Sequence, residues 1–151
     1  MVVLTIDIRW STKSPEKLLR NKVYSKTMDD KTKYSISTKI EHGPLELIDI
    51  PKMIEASKKN WQNYSLCEVN DCVVRLGVIH GEFHWHKHDL EDEFFYVIDG
   101  LLHMDLEDKT LDLRPGEGFM VPKGVVHRTR APDRTSILMI EGKTVMATGD
   151  L

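Results

Sequence analysis

Apolar and polar positions divide the chain into two textures. Over residues 1–64 the pattern is mixed. Val2 to Trp10 alternates loosely and predicts a strand, because side chains of an extended chain point to opposite faces in turn. Ser14-Pro15-Glu16 predicts a helix start leading into KLLRNKVY. Ser can cap the free N–H groups of a first turn, and a proline there loses no hydrogen bond. Met28 to Thr32 is polar and reads as a turn. Tyr34, Ile36, Thr38 and Ile40 alternate and predict another strand. After Gly43-Pro44, Ile50 to Lys59 predicts a short helix with Pro51 in its first turn.

From Leu66 the texture changes. Short runs of Val, Ile, Leu and Phe recur between Gly, Asp and Pro. They predict strands at Asp71–Ile79, Glu82–His86, Glu93–Ile98, Leu101–Glu107, Leu111–Leu113, Gly118–Val121, Val125–Arg130 and Thr135–Glu141. Turns are expected at Asp99-Gly100, Glu107-Asp108-Lys109, Arg114-Pro115-Gly116, Pro122-Lys123-Gly124 and Ala131-Pro132-Asp133. Asp99-Gly100 between apolar runs is the strongest hairpin signal of the set. Closely spaced short strands of this kind suggest an all-β sandwich or barrel. There is no internal repeat and no low-complexity tract.

Composition narrows the function classes. At 151 residues the chain is expected to form one domain, with room for a core that needs no disulfide or metal staple. Its 21 basic and 24 acidic residues give a net charge of −3. A binder that neutralises nucleic-acid phosphates would carry a basic stripe instead, so no nucleic-acid partner is expected. No apolar run reaches the roughly 18 residues of a membrane span. The opening MVVLTIDIRW does not read as an export signal, so the two cysteines, Cys67 and Cys72, are expected as reduced thiols in a cytoplasmic protein.

Histidine breaks the plain composition. Of seven histidines, four lie between His80 and His88. His84, His86 and His88 alternate, and a strand would point them to one face. Glu93 opens the next apolar run, and His127 stands on a later candidate strand. Taken alone, a His-x-His pair on a strand is common at surfaces. Three imidazoles and one carboxylate, however, suit a divalent transition metal such as Fe, Mn, Ni, Co, Cu or Zn. Octahedral binding would leave two positions open.

The spacing adds to this. His86-Lys87-His88 is followed by four residues, Glu93, six residues and Gly100. Gly116 is followed by five residues, Pro122-Lys123-Gly124, two residues and His127. These two stretches resemble the paired motifs of the cupin superfamily. WHKHDLEDEFFYVIDG and GEGFMVPKGVVHR are similar to small single-domain cupins of the phosphomannose-isomerase-like type. The resemblance covers about residues 45–150 and leaves 1–44 unmatched. It implies a double-stranded β-helix, a jelly-roll barrel over residues 45–151, behind an N-terminal extension over 1–44. It implies His86, His88, Glu93 and His127 as metal ligands, and Gly100, Gly116 and Gly124 as turn residues. The family's closing Asn is Ala131 here, and His84 is an addition to the usual pattern.

His84 shares parity with His86 and is the candidate for proton transfer, with a place at the barrel mouth as its plainer reading. Trp85 should face away from His86 and pack. Phe95 and Val97 share parity with Glu93 and should line the barrel. Arg75 reads as a solvated strand residue, with a clamp for a substrate carboxylate as the alternative. Glu91 and Asp92 read as exposed loop acids. His42, His80 and His103 have no evident partner.

Two functions compete. One is a metal-dependent enzyme of dioxygenase or isomerase type acting on a small polar or anionic molecule. The other is a cupin that binds or senses a small ligand without turning it over. With one carboxylate among its ligands, a divalent centre keeps a charge near +1 and should attract an anion. The apolar Val3, Leu4, Ile6, Ile8 and Trp10 need burial, so a homodimer is expected in which the extension packs on a neighbouring barrel.

Overall fold

A computed structural model of the chain describes residues 33–150. The strand expected at Val2–Trp10, the helix from Ser14 and the turn at Met28–Thr32 lie outside the described residues. The elements run β1 (Ser35–Ile40), α1 (Ile50–Ala56), β2 (Trp61–Val69), β3 (Cys72–Glu82), β4 (Glu93–Asp99), β5 (Leu102–Leu106), β6 (Thr110–Leu113), β7 (Gly118–Val121) and β8 (His127–Gly142). The strands are ordered β1-β2-β3-β8-β4-β7, while β5 leaves that path to pair with β6 and β8. The architecture is all-β and is that of a double-stranded β-helix. β1 lies parallel to β2. The other pairings among the described strands are antiparallel.

β8 ties the molecule together. It spans 16 residues. Its first residues pair with β5, from Leu106↔His127 to His103↔Arg130, and its last pair with β4, from Asp99↔Ser136 to Glu93↔Glu141. Its other edge lies along β3. The sequence suggests two strands here, broken at Ala131-Pro132-Asp133. The structure has one. Gly81 pairs with Ala131 and Ile79 with Thr135, so three residues, 132–134, stand opposite His80 alone. The extra residues form a bulge, where a proline loses no ladder hydrogen bond and the strand can bend. Because of that bend both ends of β8 arrive at Glu93.

Three further expectations are corrected. β3 runs on to Glu82, and the chain then leaves regular strand geometry, so His84 to His88 do not alternate along a ladder; His86 keeps only a bridge to His127. Asp99-Gly100 is not a hairpin, because β4 and β5 do not pair. It turns the chain from one layer to the other. Gly100 has φ +87°, and a Cβ there would lie 2.5 Å from Thr135 Oγ1. β2 was not evident as a strand, since two of its buried positions are Asn63 and Ser65. The turn at Glu107–Lys109 does close a hairpin, with Leu106 N–H donating to Lys109 O over 2.8 Å. The helix α1 stops at Ala56, short of Lys59, and Asp49 caps its start by accepting from Lys52 N–H at 3.1 Å.

Two apolar clusters follow from strand alternation. The first contains Phe95, Val97, Met104, Ile137 and Met139 with Tyr34, Trp61 and Phe83. The second packs Leu66, Leu76 and Val78 with Ile50, Met53 and Ile54 of α1. One cluster fills the barrel, and α1 seals part of the sheet's outer face over the other. β1, from the expected extension, joins the chain's own sheet.

Candidate metal centre

The site is assembled from three places in the chain. β4 begins at Glu93, whose side chain shares the buried face with Phe95 and Val97. β8 begins at His127, only 1% exposed. The irregular segment after β3 delivers His86 and His88, both buried. Reciprocal backbone hydrogen bonds of 2.9 Å between His86 and His127 fix two of the three imidazoles against each other. The Pro122–Gly124 turn fixes the third. Gly124 N–H donates to His88 O at 2.6 Å, and Lys123 N–H donates to Asp92 Oδ1 at 2.9 Å. Asp92 is therefore a positioned loop acid. Behind His86 lies the C-terminal segment, where Gly149 has φ +83° and a Cβ would meet His86 Cβ at 2.5 Å. Asp150 closes the contact by accepting from Asp89 N–H at 2.7 Å.

One ligand atom from each of His86, His88, Glu93 and His127 lies within 4.8 Å of the others. His86 Nδ1 stands 3.1 Å from His84 O, and His127 Nδ1 stands 3.0 Å from Val125 O. A carbonyl only accepts, so each Nδ1 carries a proton, and in the neutral ring Nε2 is then the nitrogen left to ligate. Backbone partners of this kind orient metal-binding imidazoles. Glu93 Oε2 is 3.4 Å from both His88 Nε2 and His127 Nε2, long for a hydrogen bond. Glu93 Oε2 and His127 Nε2 are buried without a partner. Orphaned donors of complementary softness, converging in a dry corner, fit a divalent metal ion.

The electrostatics agree with that fit. Burial pushes His86 down to about 3, and the neighbouring His127 adds to the effect. It is therefore neutral, as a ligand must be. Burial alone would raise Glu93, but the imidazoles of His127 and His88 outweigh it and keep it ionised. Burial likewise works against protonation of His88, yet the nearby Glu93 carboxylate, with Glu141 and Asp150 adding, raises it above its ordinary value.

Two charged residues near the site have different roles from those the sequence suggests. Arg75 is not solvated. It is 4% exposed and forms a buried ion pair with Glu141. Glu141 was not singled out by sequence, although it stands directly opposite Glu93 across the β4–β8 ladder. Burial first, and then the charge of Glu93, drive Glu141 well above the usual carboxylate range, with Arg75 opposing. One signal could have found it. Ile137, Met139 and Glu141 share parity, so a carboxylate sits where the alternation calls for an apolar side chain.

His84 lies one ring outward from the four residues. Its ring centre is 5.5 Å from that of His86, and its Nε2 is 2.8 Å from Thr148 O. Phe95 and Val97 line the barrel as expected, with Phe95 6.1 Å from His127 between ring centres. Trp85 is half-buried beneath the Arg128 guanidinium, 5.0 Å away. Glu91 accepts from Thr144 Oγ1 at 2.8 Å, and His103 pairs with Asp112 at 2.7 Å. His80 is exposed, and Cys67 and Cys72 are free thiols.

The cupin domain family, Cupin_2, matches residues 73–150, and the chain belongs to it. A Bacillus subtilis relative, the uncharacterized protein YdbB, is 46% identical over 87 residues, which cover 57% of this chain and 77% of that one. The polyketide synthase CurC of Streptomyces cyaneus is 42% identical over only 45 residues, 30% of this chain and 29% of that one. Among solved structures, a cupin-2 domain protein of Shewanella frigidimarina is 32% identical with a TM-score of 0.61, covering 64% of this chain and 94% of that one. KdgF from Halomonas, 20% identical with a TM-score of 0.53, covers 58% of this chain and 84% of that one and shares the fold. Among the described residues no helix is long and apolar enough to cross a membrane.

Proposed function

We propose that the chain is a metal-dependent enzyme of the phosphomannose-isomerase-like cupin type, acting on a small polar or anionic molecule by isomerase or dioxygenase chemistry. His86, His88, Glu93 and His127 would hold one divalent transition metal. The carrying observation is the convergence of these four buried donors, two with their spare nitrogens already tied to backbone carbonyls. A divalent ion held there supplies Lewis-acid polarisation of a chelating oxygen. The residues do the rest. Phe95 and Val97 exclude water beneath the site, which strengthens electrostatic contacts inside it. With Glu93 the single carboxylate among the four, a divalent ion held there would keep a charge near +1 that favours an anion. Glu93, engaged as a ligand, does not serve as base. His84 is the candidate for proton transfer at the barrel mouth, with Thr148 O orienting its ring.

The test is titration of Co²⁺-loaded protein with oxalate, 2-oxo acids and sugar phosphates, followed in the visible spectrum and by calorimetry. Turnover of one class establishes the enzyme. Saturable binding without turnover favours the sensing cupin, and no response to any anion overturns both. We also infer a cytoplasmic homodimer. Tyr96, Met120 and Ile140 leave an apolar outer face at 38%, 49% and 40% exposure, which a second copy would cover. A monomer by sedimentation at micromolar concentration would contradict it.

A further inference from the structure

The site's ligand carboxylate has a second carboxylate directly behind it. Glu93 and Glu141 are cross-strand partners in the β4–β8 ladder, and both side chains turn to the buried face. Directly opposed residues of an antiparallel pair hold their Cβ atoms about 5 Å apart, so the two carboxyl groups share one small volume. Glu141 is not loose there. Arg75, from β3, donates to Glu141 through Nε and to Ser65 Oγ through a terminal nitrogen at 2.5 Å. Ser65 in turn donates to Ser37 O of β1 at 2.8 Å. A buried polar chain thus runs from the edge strand to the back of Glu93.

We propose that Arg75 and Glu141 are positioning residues that hold Glu93 with one oxygen, Oε2, facing the imidazoles. The inference rests on the metal reading above. Its physical basis is confinement. The orientation of a buried carboxylate is set by the side chains packed around it. Glu141, braced on its far side by Arg75 and through it by Ser65, stands across the ladder from Glu93 and takes up the room into which that side chain would otherwise turn.

Co²⁺ binding by wild type, Glu141→Gln, Arg75→Met and the double variant tests this, read as a dissociation constant and a visible d–d spectrum. Glu141→Gln should weaken Co²⁺ about 10- to 100-fold, the usual effect of removing a group that supports a ligand, and shift the band. Arg75→Met should shift the band in its own way, because Glu141 is then free to approach the ion. The double variant should lose little more affinity than the worse of the two single variants, since the two residues act as one brace. A role confined to stability would lower the melting temperature and leave spectrum and affinity of the folded fraction unchanged. Wild-type spectra and affinities in all folded variants overturn the proposal while leaving the metal site standing. Should Glu141→Gln fail to fold, Glu141→Asp keeps the charge and shortens the reach; it too must shift the band, or the proposal falls. Failure of wild type to take up Co²⁺ overturns the metal reading itself, and this proposal with it.

Discussion

β8 carries two charged clusters a residue apart, and they behave oppositely. Inward, His127 joins His86, His88 and Glu93 in a corner where ligand atoms lack partners. Outward, Arg128 and Arg130 converge on Asp105 of β5. That carboxylate accepts from Arg128 Nε at 2.8 Å, from Arg130 Nε and a terminal nitrogen at 2.5 and 2.8 Å, and from Thr110 Oγ1 at 2.7 Å. Arg128 reaches on to Glu82 at 2.7 Å and lies over Trp85. The outer cluster is satisfied by the protein alone, as structural polar networks are. The inner one brings together four buried side chains that could hold a metal ion. Strand alternation sorts the two: period-2 geometry sends His127 and Thr129 inside and Arg128 and Arg130 outside.

The largest effect separating these regions should come from removing inner ligands. His86→Ala and His127→Ala are each expected to lose metal from stoichiometric to near zero in elemental analysis, while the fold persists by circular dichroism. Their imidazoles are held by backbone carbonyls and contribute the ring nitrogens the ion needs. Stoichiometric metal in both variants would break the assignment.

A pH series should divide the regions next. His88 is raised above its ordinary value, so the stability it gives the metal-free protein is present at low pH and lost as pH rises through that raised value. Metal must displace that proton, so affinity should fall by up to about tenfold per pH unit below that raised value. Asp105 is held well below the carboxylate range, first by Arg130 and then, after a smaller opposing effect of burial, by Thr110 and Arg128. Its stabilisation is therefore present above about pH 4 and lost only in stronger acid. Calorimetric metal titration and acid unfolding, run side by side, should show metal leaving well before the fold does. Coincident transitions would mean the clusters are not independent.

Asp105→Asn is the converse variant. It removes charge-assisted bonds to two arginines and should cost about 2 kcal/mol, visible as a lower melting temperature. Metal content should stay stoichiometric. Loss of metal in this variant would show that the outer ladder sets the position of His127.

What could be read from sequence divides along the same line between local and long-range. The clustering of His86, His88, Glu93 and His127 was legible because the spacing of these residues and of the glycines around them resembles the paired cupin motifs. Most short strands were legible because each carries its own alternation and stop signals. β2 was not, since its inward Asn63 and Ser65 interrupt the apolar pattern. β8 was read as two strands because Pro132 marks a bulge as clearly as it marks a turn. Glu141 and Arg75 were missed or misread because their roles depend on register. Nothing near Glu141 in sequence says that Glu93 lies across from it, and Arg75 looks solvated until Ser65 and Glu141 are placed beside it. Asp99-Gly100 failed for the same reason: the turn chemistry was right, but the partner strand is chosen by the whole sheet.

The smallest expected effect probes whether the C-terminal segment belongs to the inner region. Gly149 has a positive φ, and an added Cβ would fall 2.5 Å from the Cβ of His86. Gly149→Ala cannot keep both that backbone and that contact. The left-handed conformation costs a residue with a Cβ about 1–2 kcal/mol, and the clash must be relieved by moving either the segment or His86. The segment is held at three points: Gly149 N–H on Met146 O at 2.7 Å, Asp150 N–H on Lys87 O at 2.9 Å, and Asp89 N–H on Asp150 Oδ2 at 2.7 Å. His86 is held by its bridge to His127. Release of the segment is the softer response, because it breaks surface contacts and leaves the buried bridge intact. The variant should then lose about 1 kcal/mol of stability, and metal affinity should fall by a few-fold at most. A large loss of metal with unchanged melting temperature would show instead that His86 gives way first, and that the C-terminal segment sets the position of this ligand.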